Sequence, residues 1–282
     1  MSETPILDNH LHLDPIEGRG AAAAAEFANA GGTHLLVLNK PSWNFVDDGE
    51  AIGDESAFRE TFEMTCEVTA RASERLPGRA WPVLGVHPAL VSQLVEAGHD
   101  PSAARDLMQA GLDVAASFVA DGEALALKSG RPHYEVSDAV WEASNAVMRH
   151  AFDRAADVGC AVQLHTEGGE DFETVATWAE EAGLPRHRVV KHYSGGPIDG
   201  PVPSVIANRD GLVAAAEHGG PFLMETDFLD DPDRPGAVLG PKTVPKRVRW
   251  LREEGHEDAM RTAHVETPAR VYGIDTEATL ST

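Results

Sequence analysis

Ile6-Leu7-Asp8-Asn9-His10-Leu11-His12 joins an apolar start to two histidines one residue apart. Ile6–Leu11 reads as a first β-strand, with the histidine pair at its C-terminal end. Alternate residues of a strand share a face, so Asp8, His10 and His12 are expected to point the same way. Imidazole and carboxylate are ligands for zinc and similar first-row ions. A lone histidine on a strand is usually structural. A His-x-His pair at a strand end asks where further ligands would come from.

Outward from this segment, short apolar runs alternate with longer helical patterns. Thr33–Asn39, Trp81–His87, Ala124–Ser129, Cys160–Thr166, Arg188–His192, Pro203–Ala207 and Pro221–Asp227 read as strands, Pro203–Ala207 being the weakest. Helical patterns cover Ala21–Ala30, Glu55–Leu76, Pro101–Asp121, Ser137–Val158, Glu170–Ala182 and Asn208–His218, with two more near Val244–Glu254 and Glu257–Tyr272. Strict β–α alternation argues for a parallel sheet with both faces covered. The count of strands alone does not separate an open sheet from a closed barrel. The polar loop over residues 40–54 reads as a lid or insertion.

The placement of the reactive residues favours the barrel. His87 ends the third strand, Lys128 the fourth, His165 the fifth, His192 the sixth and Asp227 the eighth. The C-terminal strand ends form the active-site face of a barrel, and closure brings these dispersed residues onto one rim. Parity agrees. Ala124, Ala126 and Lys128 share a face, as do Ala161, Gln163 and His165, and Leu223, Glu225 and Asp227. The fold class is therefore α/β, a single (β/α)8 TIM barrel spanning residues 1–282 as one domain, with its active site at the C-terminal ends of the strands.

These residues carry a resemblance. Asp8-Asn9-His10-Leu11-His12-Leu13-Asp14 is similar to the opening HxHxD of the TatD family, within the amidohydrolase superfamily. Gly85-Val86-His87-Pro88, the later His165 and His192, Glu225-Thr226-Asp227, and the closing Thr267-Pro268-Ala269-Arg270-Val271-Tyr272-Gly273 resemble further motifs of that family. One position departs. Where the family usually carries a metal-bridging glutamate, this chain has Lys128, within Leu127-Lys128-Ser129-Gly130-Arg131-Pro132-His133-Tyr134. Other amidohydrolases place a carbamylated lysine here, and a carbamate replaces the carboxylate chemically. The alternative is a free ammonium pairing with Glu225 or Asp227 beside one metal. The carbamate is the favoured reading.

The resemblance implies two divalent metal ions, with zinc favoured over magnesium or manganese. His10, His12 and Asp227 would bind one and His165 and His192 the other, with Lys128 bridging them. Such a pair, about 3.5–4 Å apart, activates a water and clamps the electrophile. Asp227 would take the proton of that water. Asn9 and Glu225 would fix the orientation of the imidazoles. His87, Arg131 and His133 are candidate substrate contacts, arginine being suited to phosphate or carboxylate. Lys191 has the parity opposite to His192 and is expected to point outward. His34, His99, His218, His256 and His264 carry no placement signal and are expected at the surface.

The implied activity is hydrolysis of a phosphoester, in the manner of a deoxyribonuclease or phosphodiesterase. Hydrolysis of a small amide, lactone or ester is the alternative, and a metal-binding barrel without activity is a third. The expected partner is a small anionic substrate or a nucleic-acid end. The chain shows no extended basic or aromatic groove for long single strands.

Composition sets the remaining bounds. Forty-six acidic residues face 23 basic ones, for a formal charge of −23. An acid-rich, lysine-poor chain suggests adaptation to a salt-rich cytoplasm, where the Debye length falls to about 3 Å near 1 M salt. The acidic start lacks the features of a signal peptide, and no apolar run is long enough to span a membrane. Cys66 and Cys160 form no metal or redox motif, which fits a reducing cytoplasm.

Overall fold

A computed structural model describes residues 4–42, 54–236 and 238–280. The expected lid over residues 40–54 lies mostly outside these described residues. Nine parallel strands form one curled sheet: β1 (Leu7–His12), β2 (His34–Leu38), β3 (Ala80–Gly85), β4 (Ala126–Gly130), β5 (Ala161–His165), β6 (Val189–Ser194), β7 (Val202–Ile206), β8 (Leu223–Glu225) and β9 (Phe228–Leu229). Their order in space is β8-β7-β6-β5-β4-β3-β2-β1-β9.

The expected eighth strand is thus two. The segment 223–229 pairs with β7 through its first half and with β1 through its second. The break falls at Asp227, whose φ of 51° takes it out of extended geometry. Its backbone N–H donates to His10 O at 2.9 Å, which joins the two edges of the curled sheet. The α/β architecture is as expected, with one more strand than the sequence reading counted.

Three apolar layers position everything else. Leu7, Leu36, Val83, Ala126, Ala161, Val190 and Leu223 fill the concave interior of the sheet. Outside it, Leu127, Val162 and Leu164 pack under α4 (Pro101–Ala120) and α5 (Asp138–Val158). Leu11, Leu35, Val205 and Met224 pack under α1 (Ala21–Asn29) and α8 (Thr243–Glu253). Ala126, Leu127 and then Lys128 alternate as parity required. So do Ala161, Val162 and Gln163.

The remaining helices are α2 (Glu55–Ser73), α3 (Leu90–Glu96), α6 (Glu173–Glu181), α7 (Arg209–His218), α9 (Glu257–Arg261) and α10 (Thr267–Tyr272). The last two are joined through a wide turn at Thr262–Glu266. None of the described helices is long and apolar enough to cross a membrane.

Two histidines expected at the surface are fully buried. His264 sits on the wide turn, and its Nδ1 accepts the Leu7 backbone N–H at 3.1 Å. His34 lies between the hydroxyls of Thr33 and Thr279, at 2.7 and 2.8 Å, with its ring 5.6 Å from that of Trp81. Burial pushes His264 down to about 3 and His34 to about 4. Both folded values lie below the ordinary 6.5, so the unfolded chain takes up these protons first. The stabilisation is fully present above pH 6.5 and is lost as pH falls towards 4 and 3. We expect His264→Gln, which keeps an acceptor for Leu7, to lose about 2 kcal/mol less stability than wild type between pH 6.5 and 4.5. Urea denaturation at the two pH values measures this, and parallel losses in both proteins would refute it.

Candidate metal centre

An irregularity in β1 sets the geometry. Asp8 lies opposite Leu35, but Leu11 lies opposite Val37, so β1 takes three steps where β2 takes two. One extra residue is accommodated as a β-bulge. Leu7 faces the interior core and Leu11 the outer layer, and between them both Asn9 and His10 turn inward. Asp8 does not share that face. It turns outward and accepts from Thr226 N at 3.0 Å and Thr226 Oγ1 at 2.7 Å. The expectation that Asp8 aligns with His10 and His12 is corrected by this extra residue.

Each inward imidazole has an oxygen partner on one side. His10 Nδ1 lies 2.7 Å from Gln163 Oε1, and His12 Nδ1 lies 3.1 Å from Asn39 O. Both oxygens accept, so each Nδ1 carries the proton and each Nε2 presents a lone pair. Those lone pairs face Lys128 Nζ, which is 3.5 Å from His10 Nε2 and 3.5 Å from His12 Nε2. Asn39 is itself fixed, its side chain bonding the N–H and C=O of Gly85 just past the β2–β3 ladder.

The His10 ring stacks on His192 with centroids 3.9 Å apart. His192 Nδ1 lies 2.9 Å from Glu225 Oε1, and its Nε2 is 3.0 Å from His165 Nδ1. His133 approaches His165 at 2.8 Å, and the His87 ring lies 4.9 Å from that of His165. His10 Nε2 is 3.7 Å from Asp227 Oδ1. One ligand atom each from His10, His192 and Asp227 lie within 4.8 Å of one another. The sequence reading set His10 and His12 together with Asp227. The structure brings His192 to His10 and Asp227 as well, and places the His12 ring 5.2 Å from that of His10.

Burial dominates the electrostatics. It pushes His10, His12, His87 and His192 well below the usual histidine range, and His165 to about 3. Neutral imidazole is the form that ligates a metal, so the donor set suits a cation. Burial also lowers Lys128 to about 8, against the pull of Asp227 and Glu225. It raises Asp227 to about 6, with Lys128 opposing. Glu225 is driven up by burial and by Asp227, while Ser204 Oγ and Tyr193 N donate to it and hold it down. A left-handed backbone at a non-glycine such as Asp227 is uncommon and costs energy, and such strain collects at functional positions.

The site opens into a cavity of about 290 Å³ lined by His12, His87, Lys128, His165, His192 and Asp227, with Arg234 and Pro41 also on its wall. Arg131 is not on that wall. Its guanidinium holds Glu167 through Nε at 2.7 Å and through Nη2, bonds Asn145 at 3.0 Å, and lies 4.4 Å over Trp141. The arginine facing the cavity is Arg234, on the loop after β9, where no spacing to the histidines pointed to it. Lys191 leaves the interior as parity required but is buried rather than outward. Its Nζ donates to His192 O at 2.7 Å and lies 5.6 Å from the Phe172 ring centroid. Gln163, Ser204, Asn39 and Tyr272 were also missed as site residues. Gln163 alone carried a signal, its shared face with His165.

The chain is similar to known proteins along nearly its whole length. An uncharacterized protein of Methanocaldococcus jannaschii is 35% identical over 291 residues, covering 98% of this chain and 99% of its own. Among solved structures, the TatD-like protein of Archaeoglobus fulgidus is similar, with TM-score 0.57 and 16% identity over 95% of this chain and all of that one. A mutant of the organophosphorus hydrolase from Deinococcus radiodurans gives TM-score 0.62 at 14% identity, covering 96% of this chain and 94% of that one. A lactonase from Listeria monocytogenes gives 0.58 at 11%, covering 96% and 95%. These distant structures bear on the fold, which is TIM-barrel-like. The family description "TatD related DNase" matches residues 7–273, nearly the whole chain. The chain belongs to the TatD family.

Proposed function

We propose that the protein is a divalent-metal-dependent hydrolase acting on phosphoester bonds of small anionic substrates or nucleic-acid ends. It would do so at the C-terminal face of a (β/α)8 barrel whose last strand is split at Asp227. One observation carries the reading. The buried, neutral imidazoles of His10, His12 and His192 converge with Asp227 around the Lys128 amine.

His10, His12, His165, His192 and Asp227 are the residues that would hold one or two cations. An imidazole-rich set favours zinc over magnesium or manganese. Bound there, the cations would supply an activated water and a polarised phosphoryl oxygen. Asp227, with a carboxyl raised to about 6 beside His10, is placed to accept the proton of the attacking water near neutral pH. Glu225 and Asn9 hold imidazole orientation from behind. His87 and Arg234 face the cavity as substrate contacts. His133 reaches the site through His165, while Arg131 is committed to Glu167.

Lys128 is assigned as a carbamate. Its amine lone pair forms an N–C bond to carbon dioxide and gives up one proton, leaving an anionic group where the family usually has glutamate. An amine lowered to about 8 by burial supplies the neutral form that this requires. The same lysine favours the second reading, hydrolysis of a small lactone, ester or amide, and a lactonase is among the structurally similar proteins. The acidic balance, 46 acids to 23 bases, supports a salt-rich cytoplasm as the working environment.

Assaying metal-loaded protein in high salt against single-stranded DNA, phosphodiesters, lactones and amides tests these readings. We expect phosphodiester turnover that His192→Ala abolishes. Equal turnover by that variant would remove the site assignment, and turnover of lactones alone would establish the second reading.

A further inference from the structure

Beneath the inward histidines runs a continuous chain of polar groups, buried except for the half-buried Tyr272, of which only Asn9 and Glu225 have a role so far. Gln163 Nε2 donates to Asn9 O at 3.0 Å and to Tyr272 Oη at 2.9 Å. Tyr272 Oη donates to Asn9 Oδ1 at 2.8 Å. Asn9 Nδ2 donates to Ser204 Oγ at 3.0 Å, and Ser204 Oγ donates to Glu225 Oε2. The ends of this chain are His10 Nδ1, against Gln163 Oε1, and His192 Nδ1, against Glu225 Oε1.

The direction of every hydrogen follows from the groups present. Asn9 O is a backbone carbonyl and only accepts, so the Gln163 amide nitrogen faces it and the amide oxygen faces His10. Gln163 uses its second N–H on the Tyr272 oxygen, which sends the phenol hydrogen to Asn9 Oδ1. That turns the Asn9 amide nitrogen towards Ser204, and the Ser204 hydrogen is left for the Glu225 carboxylate. Gln163 Oε1 facing His10, and the Glu225 carboxylate in its ionised form facing His192, leave each terminal imidazole with hydrogen on Nδ1 and a lone pair on Nε2. Tyr272 is the one member from outside the strands. Helix α10 delivers it, and that helix is seated by Val271 in the interior core.

We infer that Tyr272 is a positioning residue for the metal centre. By bonding Gln163 and Asn9 it braces the groups that face His10 Nδ1 and, through Ser204 and Glu225, His192 Nδ1, so that docking of α10 is coupled to metal retention. The inference rests on the reading of His10 and His192 as ligands. Partners that orient ligating histidines contribute about 10–100-fold to metal affinity.

Zinc affinity, measured by chelator competition on wild type, Tyr272→Phe, Ser204→Ala, Thr276→Val and His10→Ala, tests it. Long-range ¹H–¹⁵N spectra of the metal-free histidine rings accompany the titrations. We expect Tyr272→Phe, and Ser204→Ala at the other end of the chain, to weaken zinc binding about 10-fold or more. We also expect part of the His10 population in Tyr272→Phe to move to the Nε2–H tautomer. Thr276→Val removes a hydrogen bond from the same C-terminal region, to His264 O, without touching the chain, and is expected to bind zinc within about twofold of wild type. Wild-type affinity and an unchanged His10 signal in Tyr272→Phe would overturn the inference. So would an equal loss in Thr276→Val, which would mean general loosening of the C-terminal region. If His10→Ala also bound zinc as wild type does, the ligand reading itself would fall.

Discussion

Replacing Lys128 with methionine is expected to lower turnover by on the order of 10²–10³-fold. Bound metal should fall from about two equivalents to about one. Lys128→Glu should keep both. The argument is geometric. The Lys128 amine sits 3.5 Å from Nε2 of both His10 and His12 and shares the cavity wall with His165 and His192, so an anion built on it faces ligands assigned to both cations. Methionine fills a similar volume without a charge. Glutamate restores the carboxylate that the family usually has at this position. Metal analysis and steady-state kinetics on the three proteins decide the matter. In the intact protein the wild type should carry the mass of one added carbon dioxide, and Lys128→Glu should not. Wild-type metal content and turnover in Lys128→Met would remove the bridging role.

Gly130→Ala is expected to cost about 3 kcal/mol or more, or to prevent folding. Gly130 ends β4 with φ 147°, in a region that side chains avoid, and a Cβ there would stand 1.8 Å from His165 O. The clash is with backbone, so no rotamer change relieves it. β4 and β5 would have to separate between Lys128 and His165. Gly122→Ala is the natural comparison. It too has a positive φ, 77°, but nothing lies within 4 Å of the added Cβ. It should cost only the left-handed penalty of about 1–2 kcal/mol. Urea denaturation of the two variants separates the effects, and equal losses would refute the steric argument.

Much of the architecture was legible because parallel strands buried on both faces must be continuously apolar. Thr33–Asn39 and Cys160–Thr166 announced themselves in this way, and even the weak Pro203–Ala207 proved to be a strand. The short helix Leu90–Glu96 was missed, since two turns give periodicity little to work on. The break at Asp227 was missed because a single left-handed residue leaves no mark on hydropathy. In the candidate site, parity placed Lys128 and His165 on the inner face. It failed for Asp8, because it cannot register an inserted residue. The burial of His34 and His264 was not legible. His264 is held by Leu7, 257 residues away, and His34 by Thr279, 245 away. Tyr272 meets Gln163 across 109 residues and Asn9 across 263, contacts that only the folded chain creates.

The extra residue in β1 acts as a phase shifter. Before it, the strand keeps step with the core, through Leu7 inside and Asp8 outside. After it, the strand keeps step with the chemistry, through His10 and His12. Removing that residue would leave every hydrophobic position of the neighbouring strands untouched and still cost the arrangement one of its two inward neighbours, either His10 or the Asn9 that supports it. The length of β1 is therefore under tighter constraint than its composition. A variant library should tolerate substitutions at Leu11 and Leu13 far better than any single-residue insertion or deletion between Leu7 and His12.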